Sequence, residues 1–240
     1  MNLSLREVLS LLRNMSNELF KRERTPLGIV AYSVYLSGLS CWKVSGALSP
    51  FLKRSNRSVM NWVHGFGSIS KAFRLGGAKA AIVDGRTVII RGVEAWIWMA
   101  LEPISRRILA LELSWTRSNL TAYLLLKRLK NLYGVRVIVA DGAPWYGVCS
   151  ELGLRLIHHR NLLNLAERLS KEVKRRLKDF DLYFPCRCRK PFLHAKGLLE
   201  AWRGFYNWVR YHRSLKASPC NYRGPEPLGI LKLIRGGAIS

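Results

Sequence analysis

Three patterns of hydrophobic spacing follow one another along the chain. Up to about Gly67, apolar residues recur at helical intervals. Leu27 to Leu36 reads as a helix that stops at Gly38. Ser40 is placed to cap a second helix, Cys41 to Leu48, which ends at Pro50. Ser58 is placed to cap a third, with Val59, Trp62, Val63 and Phe66 on one face and Arg57, Asn61 and His64 largely elsewhere. Three short helices, the last with a polar and basic outer face, predict a helix-turn-helix over residues 1–70, against the plainer alternative of a helical bundle. A Gly-bearing stretch, Gly65 to Gly77, separates this region from the next.

From Ala78 the pattern changes to apolar β-prone runs. Ala78 to Val83 ends at Asp84, and Thr87 to Ile90 continues as strand. Arg91-Gly92 turns the chain into Ala95 to Leu101, and a turn over Pro103 to Arg107 leads to Ile108 to Leu113. Ser118 caps a helix to about Leu132, with Leu120, Tyr123, Leu124 and Lys127 in helical register, and Gly134 stops it. Val135 to Ala140 is a buried strand that ends at Asp141. Three strands in a meander, a helix and a fourth strand parallel to the first predict an α/β, ribonuclease-H-like fold, as in retroviral integrases. This catalytic domain is expected over residues 78–215, with a C-terminal tail over 216–240. A helix over Leu162 to Phe180 closes the core, and a loop bearing Pro, Cys and Arg leads into an aromatic-rich helix.

Charge narrows the partner. Lys and Arg total 40 against 15 Asp and Glu, a formal net charge of +25, while 49% of the residues are hydrophobic. A chain with that much core material is not a disordered basic tail. The excess charge draws a polyanion, with nucleic acid first and an anionic membrane surface as the competitor. The longest uncharged stretch, Pro26 to Trp42, falls short of the ~20 apolar residues of a membrane span. Five scattered cysteines argue against a disulfide framework and fit a reducing, cytoplasmic setting. Cys186 and Cys188, with His194 and Cys220 nearby, leave zinc as a minor alternative.

Only four aspartates exist, and two of them, Asp84 and Asp141, close the two most strand-like runs, each followed by Gly. A carboxylate at a buried strand end costs desolvation unless a cation or donor meets it. A turn-forming Asp explains one such position easily and two less comfortably. Converging carboxylates hold paired Mg²⁺ or Mn²⁺ ions for phosphodiester chemistry. The expected third ligand is Glu167, at the edge of the stripe Leu162, Leu165, Ala166, Leu169, Val173 and Leu177. Pairing of Glu167 with Lys171 is its ordinary alternative, and Glu172 is a second candidate. Arg168, Lys171, Lys174, Arg175 and Lys178 make that helix a surface for a DNA backbone. His158 and His159 follow a short strand, as phosphate contacts or as plain loop residues. Trp96 and Trp98 read as sheet packing.

VIVADGAPWY, NLAERLSKEVKRRLKDF and FYNWVRYHRSLKASP are similar to segments of DDE transposases of the IS-six insertion-sequence type. RTPLGIVAYSVYLSGLSCWKVSGAL with SVMNWVHGFG looks like their helix-turn-helix. The resemblance runs from about Arg24 to Pro219. It implies a divalent-metal triad at Asp84, Asp141 and Glu167, recognition of terminal inverted repeats and target DNA, and strand transfer by a 3′-hydroxyl. It further implies a homodimer or larger synaptic complex in a prokaryotic, nucleoid-associated setting. Asn164 matches a polar position before the family's Glu, and Trp145 and Tyr146 match its aromatic pair. Tyr206, Asn207, Arg210 and His212 match its C-terminal helix. Two departures stand out: Gly85-Arg86 replaces the usual Glu-Thr, and Glu167 follows Asp141 by only 26 positions (167 − 141). They motivate two further readings: a decayed or repurposed DNA-binding protein, or a ribonuclease-H-like nuclease.

Overall fold

The computed structural model describes Val30, Ser33 and residues 41–72, 75–90, 92–181 and 191–225, with side chains throughout except at 69–72 and 174–181. Two compact units emerge. One comprises residues 1–74 with 176–222, the other 75–175 with 223–240. The expected catalytic span, 78–215, thus straddles both.

The second unit is built on a mixed five-stranded sheet. Strands β1 (Ala80–Ile90), β2 (Val93–Leu101) and β3 (Ile108–Ser114) form an antiparallel meander. Helix α3 (Asn119–Tyr133) then carries the chain across to β4 (Val137–Val139), and β5 (Arg155–Ile157) lies beyond it. The order is β3-β2-β1-β4-β5, with β4 parallel to β1 and β5 parallel to β4. The meander and crossover are as the sequence predicts. One expectation needs correcting: β1 does not break after Asp84. It runs on through Gly85 and Arg86, which pair with Trp98 and Ile97 of β2. Cross-strand hydrogen bonds hold Gly85 extended, against its local preference for a turn.

Burial follows that topology. Ala80 to Val83 are buried on both faces, as expected beside a parallel neighbour, whereas Thr87 to Ile90 alternate out and in. Helix α3 starts at Ser118, whose hydroxyl accepts from the Thr121 amide while Thr121 reaches back to the Ser118 amide. It stops at Gly134, which adopts φ +72°. Its inward face is Ala122, Leu125, Leu126 and Leu129, packed with Ala81, Val83, Trp98 and Ile138. Leu120 and Leu124 point to solvent, contrary to the expected stripe.

The first unit holds α1 (Cys41–Leu48), α2 (Asn56–Ala72) and α5 (Pro191–Gly204), labelled after α4 (Arg160–Asp181), which runs from one unit into the other. Cys41–Leu48 is the expected second helix. The expected first, Leu27 to Leu36, lies outside the described residues apart from Val30 and Ser33. Helix α2 begins earlier than expected. Ser55, not Ser58, is its cap, accepting from the Ser58 amide at 3.2 Å. The helix also passes through Gly65 and Gly67, where a linker is expected. Val59, Trp62, Val63 and Phe66 are buried, as their spacing predicts. Helix α5 crosses α2 closely: a Cβ on Gly67 would lie 2.6 Å from the Gly197 carbonyl oxygen. A π turn (Phe205–Val209) ends α5 and buries Tyr206 and Asn207. No helix among the described residues is long and apolar enough to cross a membrane.

Candidate active site

The parallel pairing of β1 with β4 sets the centre of the site. Ala80, Ala81 and Ile82 lie opposite Val137, Ile138 and Val139. Asp84 and Asp141 each follow two residues after the last of these pairs, Ile82 and Val139. β4 itself ends at Val139, so Asp141 sits just past the strand end, beside a neighbour about 4.8 Å away. Burial pushes the Asp84 carboxyl above its ordinary pKa. The Arg86 guanidinium and the Gly85 amide oppose this, and the charge on Asp141 adds to it. Arg86 Nε donates to Asp84 Oδ2 at 3.1 Å. Asp141 is exposed and accepts from the Ala143 amide at 3.3 Å. That bond leads the chain into the short 3₁₀ turn Pro144–Cys149.

The 3₁₀ turn supplies Trp145 and Tyr146. Tyr146 is buried, edge-on to Trp98 with centroids 6.4 Å apart. Its hydroxyl has no hydrogen-bond partner among the described residues. Burial drives this phenol well above its ordinary pKa; Asp141 and Asp84 push in the same direction, and Arg117 pulls against them. Both aspartates and Arg117 therefore lie within electrostatic reach of one buried hydroxyl. Arg117 comes from the β3–α3 loop. Its guanidinium carbon lies 3.7 Å from the Trp145 ring centroid and 4.6 Å from that of Trp96.

Glu167 stands apart. It is exposed on α4, whose inward residues are Leu162, Ala166, Leu169, Ser170 and Val173. Among the described residues no three His, Cys, Asp or Glu side chains gather closely enough to hold a metal ion. The site brings together two of the three expected carboxylates. Asn164, Arg168 and Lys171 are exposed on the same helix, whereas the side chains of Lys174, Arg175 and Lys178 lie outside the described ones. His158 Nδ1 meets the Ala140 carbonyl at 2.9 Å, and His159 Nδ1 accepts from the Leu162 amide at 3.4 Å, at the start of α4.

On α2, Arg57 and Asn61 are exposed, but His64 is not part of an outer face. Its ring turns inward and hydrogen-bonds His194 of α5. Sequence reasoning missed Arg86 and Arg117. The signal for Arg117 was present: a cation directly before the cap of α3 opposes the helix dipole, and the first turn carries no acidic residue to offset it.

No family model matches the chain. An uncharacterized protein of Methanocaldococcus jannaschii is 28% identical over 201 residues, covering 82% of this chain and 93% of that protein. Among solved structures, a chain of the simian T-cell lymphotropic virus intasome, determined with PP2A regulatory subunit B56 gamma, superposes with a TM-score of 0.51. It is 14% identical and covers 76% of this chain and 73% of its own. The HTLV-2 integrase catalytic core domain in complex with magnesium gives a TM-score of 0.49 at 12% identity, covering 63% of this chain and all of its own. The sheet order and the intasome chain agree on a mixed α/β, ribonuclease-H-like core.

Proposed function

We propose that the protein is a DNA transposase of the DDE kind, cutting and rejoining phosphodiester bonds at the ends of an insertion sequence. One observation carries the reading: Asp84 in β1 and Asp141, two residues past the end of the parallel neighbour β4, lie near enough for the charge of Asp141 to act on the Asp84 carboxyl, in a chain of net charge +25. A carboxyl whose proton affinity is raised by burial and by a neighbouring carboxylate, as at Asp84, suits a hard dication. Mg²⁺ or Mn²⁺ held by Asp84 and Asp141 would supply activation of a water or 3′-hydroxyl and neutralise the leaving oxygen. Glu167 enters the proposal as the third carboxylate, on the strength of its match to the family motif.

The chain's own residues would do the rest. Arg57 and Asn61 on α2, and Arg168 and Lys171 on α4, present polar and basic groups to solvent. Side chains of this kind fix duplex DNA through its phosphates. Joining two ends calls for two copies, so the working form in this proposal is a homodimer or larger assembly.

The test uses duplexes carrying the DNA that flanks the coding region, with Mn²⁺. Wild type should nick and join them. Asp84→Asn, Asp141→Asn and Glu167→Gln should each lose at least about a hundredfold, the upper end of what disturbing a metal site's supporting residues costs. Wild-type rates in Asp141→Asn would sink the enzymatic reading, and wild-type rates in Glu167→Gln alone would remove that residue from the triad. The Arg86–Asp84 ion pair favours a second reading, a DNA-binding protein with an inert nuclease-like domain. In that case wild type and Asp141→Asn would be equally inactive while still binding DNA.

A further inference from the structure

The guanidinium of Arg117 is held in an unusual way. Two indoles, Trp145 and Trp96, flank it at 3.7 and 4.6 Å from their centroids. Aromatic faces fix its plane but give its N–H groups nothing to bond to. Nε is fully shielded and has no hydrogen-bond partner among the described residues, and no ion pair to Arg117 is found there. Arginine carries five donors in a rigid fork; the shielded Nε is out of a ligand's reach, whereas the Nη groups, which make no hydrogen bond or ion pair among the described residues, are open to one. Both nearby carboxylates are otherwise engaged: Asp84 by Arg86, Asp141 by the Ala143 amide.

Gly85 accounts for the position. A Cβ there would lie 3.6 Å from Arg117 Nε, 3.7 Å from Nη2 and 3.6 Å from the Trp98 ring. A methyl group would just touch these atoms, and any longer side chain would take the guanidinium's place. The Gly-Arg departure after Asp84 thus coincides with room for a cation from another loop. The neighbouring Tyr146 hydroxyl is shielded, with the Trp145 indole N–H lying against it.

We propose that Arg117 is a phosphate-binding residue: its guanidinium takes a non-bridging oxygen of a duplex phosphodiester lying across Asp84 and Asp141. This rests on the proposed function for the identity of the ligand, not for the existence of the cation site. A planar fork suits a phosphate bidentately. It would also offset the repulsion between a DNA backbone and two carboxylates.

The experiment measures binding of the full chain to a short duplex of fixed sequence, in chelator, over a range of salt. Arg117→Gln should lower the slope of log K against log salt by about 0.9, the share of one phosphate contact. Arg117→Lys should keep the slope, because the charge remains, yet bind about tenfold more weakly, because the fork and the stacking are lost. Near-UV circular dichroism checks that each variant is folded. A wild-type slope in folded Arg117→Gln would overturn the proposal, and so would an equal loss of slope in Arg117→Lys, which marks a packing role. An effect confined to titration with inorganic phosphate, with DNA binding unchanged, would also overturn it. Because no metal is present, the result is independent of catalysis. The expected slopes alongside an absence of Mn²⁺-dependent cleavage would sink the transposase reading and leave this one standing.

Discussion

Arg86 Nε donates to Asp84 Oδ2 at 3.1 Å within a single strand. Side chains two apart on a strand share a face, so the pair needs no tertiary fold to form it. It has a cost for the proposed chemistry, because the oxygen that would meet a dication already meets a guanidinium. The Arg86 side chain is 42% exposed, so the pair itself adds little to stability. Arg86→Gln should leave metal-free unfolding within about 0.5 kcal/mol of wild type. It should also tighten Mn²⁺ binding by about two- to fivefold, as expected from removing a competitor worth less than about 1 kcal/mol. Denaturant unfolding reads the first arm and titration calorimetry the second. Unchanged or weaker Mn²⁺ affinity would take Asp84 out of the ion's coordination.

The crossing of α2 and α5 gives a second expectation. A Cβ on Gly67 would meet the Gly197 carbonyl oxygen at 2.6 Å and the Ala201 amide at 3.2 Å, and a Cβ on Gly197 would run into the His64 ring. Alanine is the better helix former by about 1 kcal/mol, so an exposed Gly→Ala change would stabilise either helix. Here the backbone of the facing helix blocks it. Gly67→Ala should therefore lose about 1–3 kcal/mol through overpacking. Thermal unfolding decides the sign. A higher melting temperature in Gly67→Ala would mean that the helices do not approach this closely.

What could be read from the sequence was what local rules fix. Ser118 and Gly134 mark the ends of α3 because caps act within one turn. Cys41–Leu48 ends just ahead of Pro50, where a helix is expected to stop. The parallel pairing of β1 with β4 agrees with two apolar runs joined by a helical crossover. Features that depend on distant partners were hidden. Gly85 reads as a turn until β2 supplies hydrogen bonds across from it. Leucines occur around most of α3, so periodicity could not tell Leu125 and Leu126 inside from Leu120 and Leu124 outside. His64 reads as an outer polar residue until α5, some 130 positions later, brings His194 against it. Arg117 gains meaning only from Trp96 and Trp145, which arrive from two other elements.

The His64–His194 pair makes stability depend on pH. The rings lie with centroids 4.4 Å apart and hydrogen-bond through Nε2 and Nδ1. One of those nitrogens must be bare for the bond to exist, so two imidazolium rings cannot share it. Burial lowers the pKa of His64 below its ordinary 6.5. Burial, and then the proximity of His64, bring His194 down to about 4. The unfolded chain therefore binds more protons than the folded one between pH 6.5 and 4. The contribution is fully present above pH 6.5 and is lost as the pH falls toward 4. Few carboxylates titrate above pH 5, so melting temperatures between about pH 7 and pH 5 isolate the histidines. Wild type should lose stability steadily over that range. His194→Gln should start lower and fall less steeply, since one of the two protons no longer has to be excluded. Parallel curves for the two proteins would show that the pair does not govern the acid limb.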